Sequence, residues 1–174
     1  VQMLLQSADI QPQNDLEKQT QTHSVNNAEE LLHAVEQAQA GDTIQLAAGT
    51  YEIPSISAEN PKHGSITLLK PLHFVGAGQD QTTIIGSLDV SFQGTELEDS
   101  TVSVSDLSFR NEDVNSNWAI GLQNTDETLK VYNCTITDFQ TGLLMSLGAK
   151  NCSLSVQGLT LNTVWNGVFV DETP

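Results

Sequence analysis

One spacing constrains this chain more than any other feature. Val102, Val104, Leu107 and Phe109 stand at offsets 0, 2, 5 and 7, and the same spacing returns at Leu129, Val131, Cys134 and Ile136. It returns once more at Leu154, Val156, Leu159 and Leu161, and the three sets lie 27 and 25 residues apart. A second apolar phrase follows each set: "AIGL" from Ala119, "GLLM" from Gly142, "GVFV" from Gly167. Internal periods of about 20–50 residues mark stacked repeats, because one such unit cannot bury its hydrophobic side alone. Offsets 0 and 2, then 5 and 7, are two short strands of alternating inward residues. The two-residue break between them turns the chain and keeps the apolar side inside. Each coil then lays its strands on those of the coil before, at about 4.8 Å. An antiparallel sandwich would instead need tight Asn-Gly or Asp-Gly hairpins. The chain's Asn-Gly, Asn166-Gly167, falls inside a repeat phrase. The spacing predicts an all-β chain, a parallel β-helix of about six coils.

Ahead of the repeats stands "NNAEELLHAVEQAQAG". Asn26 or Asn27 can cap a helix, with Glu29 or Glu30 at the third helical position as in a capping box. Ala28, Leu31, Val35 and Ala38 follow helical spacing, Leu32 widens the stripe, and Gly41 is a C-terminal stop. One short amphipathic helix is expected, Ala28 to Gln39. Residues 1–24 are polar and Gln-rich apart from "VQMLL", and read as a loosely ordered leader or tether. The division is therefore leader 1–24, capping helix 25–41 and β-helix 42–174. In "GDTIQLAAGTYEI", Ile44 and Leu46 alternate with Thr43 and Gln45, giving the first rung. The helix would cover the open end of the stack, where unpaired backbone invites aggregation.

Charge narrows the partners. Twenty-two acidic residues face six basic ones, for a net charge of −16, and the single arginine is Arg110. Nucleic-acid binding by phosphate neutralisation is excluded on that balance. A polyanion would be repelled unless a divalent cation bridged it. No apolar run approaches the ~20 residues of a membrane-spanning helix, so no membrane insertion is expected. The start at Val1 implies a removed signal peptide or a beginning inside a longer gene. Asn133 and Asn151 open Asn-Cys-Thr and Asn-Cys-Ser sequons, which matter only in a eukaryotic secretory pathway. The repeat register points Cys134 inward and pairs Cys152 with residue 127 of the preceding coil. Residues 127 and 134 are about 20 Å apart along an extended path, well beyond the roughly 7 Å a disulfide spans. Two free thiols are expected.

The segment "AEELLHAVEQAQAGDTIQLAAGTYEI…ITLLKPLHFVGAGQDQTTIIG" resembles the opening of right-handed parallel β-helix proteins of the pectin-lyase-like superfamily. There a short helix caps the first coil, and a Gly-Asp-Thr-Ile strand with a Gly-Thr-Tyr turn begins the winding. "VSVSDLSFRN" and "LKVYNCTITDFQTGLLM" resemble the internal coils, so the likeness runs from Ala28 to Val170. It implies a right-handed helix. It does not choose an activity, because this fold carries lyases, hydrolases, adhesins and chains with no known chemistry.

The pectate lyases of that superfamily imply a calcium site of acidic side chains and an arginine that removes a proton. Arg110 is the only candidate for that base, one residue past inward Phe109 and so facing outward. Its column neighbours are Thr137 and Asn162, with Asp138 beside the first. The hydrolase branch implies paired aspartates and later histidines. "NTD" at Asn124–Asp126 stands alone, and His23, His33, His63 and His73 all precede it. No Cys/His cluster has zinc spacing, and the carboxylates at Glu112–Asp113 and Asp171–Glu172 lack a calcium-loop pattern. Trp118 and Trp165 are the stronger signal. They immediately precede the phrases "AIGL" and "NGVFV", which sets them at one corner two coils apart, about 9.6 Å by strand spacing. That separation suits stacking along an extended sugar chain, and tryptophan is a common binding anchor.

The sequence reading is therefore a non-catalytic extracellular β-helix, secreted, periplasmic or cell-surface, that contacts polysaccharide or another surface partner through Trp118 and Trp165. It needs no cofactor. The alternatives are a pectate-lyase-like polysaccharide lyase using Arg110 and calcium, or the N-terminal part of a longer adhesin-like β-helix. An open C-terminal end would also permit oligomers.

Overall fold

The computed structural model describes residues 19–55, 64–92, 100–112, 118–124, 126–146 and 149–170. Strand β1 (Thr22–Val25) comes first, then helix α1 (Ala28–Gln37). Five three-strand turns follow. The first is β2 (Thr43–Leu46), β3 (Gly49–Glu52) and β4 (Ser65–Leu68); the second is β5 (His73–Val75), β6 (Thr82–Ile85) and β7 (Ser87–Val90). The third is β8 (Thr101–Ser105), β9 (Ser108–Arg110) and β10 (Trp118–Leu122). The fourth is β11 (Thr128–Tyr132), β12 (Thr135–Thr137) and β13 (Thr141–Met145), and the fifth β14 (Ser153–Gln157), β15 (Thr160–Asn162) and β16 (Asn166–Val170). Like strands stack into three parallel sheets, ordered β1-β2-β5-β8-β11-β14, β3-β6-β9-β12-β15 and β4-β7-β10-β13-β16. The chain is a parallel β-solenoid of about five turns, and only the first sheet has a sixth rung.

The expected register holds residue by residue. Val104, Val131 and Val156 are aligned partners, as are Val102, Leu129 and Leu154, and Phe109, Ile136 and Leu161. Val104, Val131, Phe109 and Ile136 are essentially sealed from solvent. The two-residue breaks are built by left-handed residues stacked in columns. Asp106, Asn133 and Gly158 occupy the corner after the first sheet, with φ of 57°, 49° and 68°. Only glycine and short Asx side chains reach that region cheaply. The Asn133 amide also donates to the Asp106 carboxylate one coil back, at 3.2 Å. Asn151 does the same to Asp126 at 3.2 Å, at the corner that enters the first sheet. The two Asn-Cys phrases therefore sit at different corners, which is why their spacing is out of step with the repeat. Cys134 is buried, Cys152 is half-buried, and both thiols are free.

Helix α1 is capped by Asn27, whose side chain accepts from the Glu30 amide at 2.9 Å. Glu30 reaches back one residue further than a capping box requires, accepting from the Asn26 amide at 2.8 Å. Leu31, Ala34 and Val35 face the core. At the far end the Lys70 ammonium donates to the Glu36 carbonyl at 2.8 Å, where the helix dipole favours a cation.

The start of the solenoid differs from the expectation. The boundary drawn at residue 24 falls inside β1, which pairs in parallel with β2 from Thr22↔Thr43 to Val25↔Leu46. "GDTIQL" is thus the second rung of its sheet. Composition misled here because "THSV" is a short polar strand whose only sealed residue is Val25. Asp42 ties the two rungs together: its carboxylate accepts from the Gln21 amide (2.8 Å), the His23 ring (2.9 Å) and the Gln39 amide (2.8 Å). Val1–Lys18, most of the expected leader, lie outside the described residues. The Gly-Thr-Tyr phrase also gains a reason. Tyr51 is fully buried, with its hydroxyl 2.9 Å from the Val25 carbonyl and 3.1 Å from that of Ala47.

The other end is open among the described residues. Val156, Leu161, Val168 and Val170 belong to inward columns yet are 38–50% exposed.

Candidate functional site

The third sheet differs chemically from the other two. Its strands read SITL, SLDV, WAIGL, TGLLM and NGVFV, with no lysine or arginine and one carboxylate, Asp89. Ile66, Leu88, Ile120 and Leu143 are aligned and buried in the core. By strand alternation the opposite face carries the column Thr67, Asp89, Gly121, Leu144 and Phe169.

Trp118 lies across that outer column. A Cβ placed on Gly121 would come within 2.6 Å of the Trp118 Nε1 and 2.8 Å of its Cδ1, so the indole rests on the bare backbone of Gly121. Any larger residue there would lift the ring. The indole N–H donates to Asp89 Oδ1, and the Ser65 hydroxyl donates to Asp89 Oδ2. The ring is therefore held at a fixed angle by a carboxylate two strands from β13. Beside it runs a shallow groove of about 240 Å³ lined by Trp118, Gln140, Thr141, Leu144, Asn166 and Phe169. It combines a pinned aromatic, two further apolar side chains and three uncharged hydrogen-bonding ones.

The two tryptophans are not equivalent. Trp118 aligns with Thr141 and, through it, with Asn166. Trp165 is one residue out of register, in the bend before β16, and is 65% exposed. It is the chain neighbour of Asn166 but does not line the groove. The shared phrase after each tryptophan hid a one-residue slip, since the counterpart of Trp118 in "WNGVFV" is Asn166 and not Trp165.

Arg110 sits where the spacing put it, exposed at the end of β9 between Ile85 and Thr137, with Asn162 beyond. It belongs to the second sheet, away from the groove, and among the described residues it makes no ion pair. No group of three or more His, Cys, Asp or Glu gathers into a metal site among the described residues. The described carboxylates gather into no calcium centre of the kind that the lyase likeness implies. His63, Asp113, Thr125, Asp171 and Glu172 lie outside the described residues. His73 Nδ1 is 2.8 Å from the Ser103 hydroxyl, a rung-to-rung contact. A larger groove of about 300 Å³ runs between α1 and β4, lined by Leu32, Val35, Leu68 and Leu69 among others. It is the seam between cap and coil, and it is mainly apolar.

Two groups escaped the sequence reading. Asp89 was signalled by alternation, as the outward residue between buried Leu88 and Val90. Glu127 was signalled the same way, two residues before inward Leu129. Its side chain is sealed, Oε1 has no hydrogen-bond partner among the described residues, and burial pushes its carboxyl up to about 7.

The family described as Chondroitinase B, a pectate-lyase-like parallel β-helix family, matches residues 25–172. No curated protein matches the chain.

Proposed function

Because the chain belongs to the Chondroitinase B family, we propose that it binds polysaccharide, through the outer face of its third sheet, without cleaving it. The observation that carries this reading is the pinned indole of Trp118 beside an uncharged groove. Sugar rings present apolar C–H faces and a rim of hydroxyls. A fixed aromatic accepts the face, while amide and hydroxyl side chains bond the rim. Parallel coils repeat along the solenoid axis at about 4.8 Å, so successive rungs meet successive parts of an extended chain. Phe169 is the second aromatic of the groove, and Trp165, exposed in the bend beside Asn166, is a further contact at its edge. The family name belongs to an enzyme acting on a chondroitin polysaccharide, and supports a glycan ligand for this chain. The non-catalytic part of the reading rests on Arg110, which stands on a different sheet from the groove with no cluster of carboxylates around it among the described residues.

The test is affinity electrophoresis through gels containing soluble polysaccharides, with unsaturated-product absorbance recorded alongside. The wild type is expected to be retarded by at least one glycan with no rise in absorbance. Trp118→Ala should weaken that binding about tenfold, the loss of about 1.4 kcal/mol of aromatic contact. Trp165→Ala should weaken it less. Unsaturated product that disappears in Arg110→Ala would replace this reading with the lyase one.

A further inference from the structure

Resting on that reading, we infer that Asp89 is a positioning residue for the polysaccharide. It stands behind the groove and sets the affinity by holding the Trp118 indole at the angle at which a sugar face meets it. Trp118 lines the groove and Asp89 does not. The hydrogen bond between them is the contact through which the carboxylate acts.

Residues from successive coils fix the ring. Gly121 lies beneath it. The register places this glycine on the outer face, between Asp89 and Leu144, yet it is buried, because the indole covers it. A Cβ on Gly121 would also come within 3.0 Å of the Gln123 amide nitrogen, so that side chain crowds the same space. Asp89 lies on β7, one rung before the strand of Trp118, and accepts from the indole N–H. Its other oxygen accepts from the Ser65 hydroxyl on β4, one rung further back. The carboxylate therefore cannot turn away from the ring without giving up its second bond. Ser65 is exposed, while Asp89 and Trp118 are half-buried, so this chain of contacts runs outside the sealed core.

An indole on an outer face turns about two side-chain bonds and, when nothing holds it, changes rotamer in picoseconds to nanoseconds. A ligand that stacks on a mobile ring must order it, which weakens binding by roughly two- to tenfold for one such side chain. Here folding has already ordered the ring. A carboxylate suits that task, because a hydrogen bond to a charged acceptor is stronger than one to a neutral group. The competing account is a staple between coils that serves stability alone. The two accounts differ in what the ring does before a ligand arrives.

The experiment uses the full chain with chondroitin sulfate, polygalacturonate and xylan as probes, and carries whichever binds the wild type into the variants. Asp89→Ala removes the charge and the hydrogen bonds together. Asp89→Asn removes the charge but keeps an acceptor for the indole and a donor for Ser65. The difference between these two variants reports the hydrogen bonds alone, whatever the charge of the glycan. Asp89→Ala is expected to bind about fivefold more weakly than Asp89→Asn. A thermal melt shows whether each variant has folded, and Ser65→Ala, with an expected loss of about twofold, serves if Asp89→Ala has not. In the Trp165→Phe background Trp118 is the only indole, so time-resolved fluorescence anisotropy without ligand reads the ring itself. It should turn only with the whole molecule when Asp89 or its Asn replacement is present, and gain a fast local motion in Asp89→Ala. Equal affinities for the Ala and Asn variants, or a ring equally rigid in both, would overturn this inference. If Trp118→Ala still weakens binding in that case, the polysaccharide reading stands. Binding that ignores Trp118→Ala, or that is absent for every probe, would end both.

Discussion

Val131→Asp is expected to unfold the protein. Val131 is sealed from solvent and is the middle member of a column, stacked between Val104 and Val156 in register. The substitution removes apolar contact on both sides and leaves a carboxylate with no partner in a low-dielectric interior. An unpaired buried charge costs several kcal/mol even when it neutralises by protonation. Domains of this size are stable by about 5–15 kcal/mol, so one such change is enough. The informative control is Val156→Asp, one coil further along the same column. Val156 is 41% exposed in the last turn, and its variant should lose less than half as much. Circular dichroism melts of both check this. A Val131→Asp variant that melts cooperatively at the wild-type temperature would show that the column is misassigned.

The second large effect is a pH dependence at one corner. Glu127 is buried beneath the turn into β11, and the main cause of its raised carboxyl, at about 7, is loss of water. In the unfolded chain the same group titrates near 4.5. Below that pH both states hold the proton and folding carries no penalty. As pH rises toward 7 the unfolded state ionises first, so stability is lost through that window and stays lost above it. The full shift would correspond to about 3 kcal/mol, and rearrangement of the corner around the ionised carboxylate lowers it to ~2 kcal/mol. Glu127→Gln keeps the shape and removes the titration. The variant is therefore expected to be more stable than wild type at pH 8 by about 2 kcal/mol and nearly equal to it at pH 4.5. Urea melts at both pH values measure the difference, which cancels the chain's other carboxylates. Equal stabilities at pH 8 would mean that Glu127 is solvated or paired.

The interior of this solenoid was legible because its chemistry is one-dimensional. Leu129, Val131, Cys134 and Ile136 each repeat a neighbour 25–27 residues away, and stacking requires nothing more than that identity of position. The corners were half legible. Asp106, Asn133 and Gly158 are the residues that left-handed backbone selects, though nothing in the sequence alone says that they hydrogen-bond along the column. The first rung was not legible, since β1 carries a single sealed residue and gains its place from Asp42 and Tyr51, distant in sequence. The outer face was least legible. The bearing of Trp118 on Gly121 and Asp89 depends on which residues two coils bring side by side. Repeat phrases fix the strand register, and a tryptophan just outside a phrase can slip by one residue, as Trp165 does.

The most direct measurement of the central claim uses the chain's two tryptophans. Trp165→Phe leaves Trp118 as the only indole. Its fluorescence is recorded while the variant is titrated with the polysaccharide that retards the wild type, and acrylamide quenching is measured at each step. If the glycan lies on the third sheet, binding buries the Trp118 ring: its emission shifts to shorter wavelength and quenching falls along the same curve as binding. Binding that leaves both the emission and the quenching of Trp118 unchanged would contradict the claim.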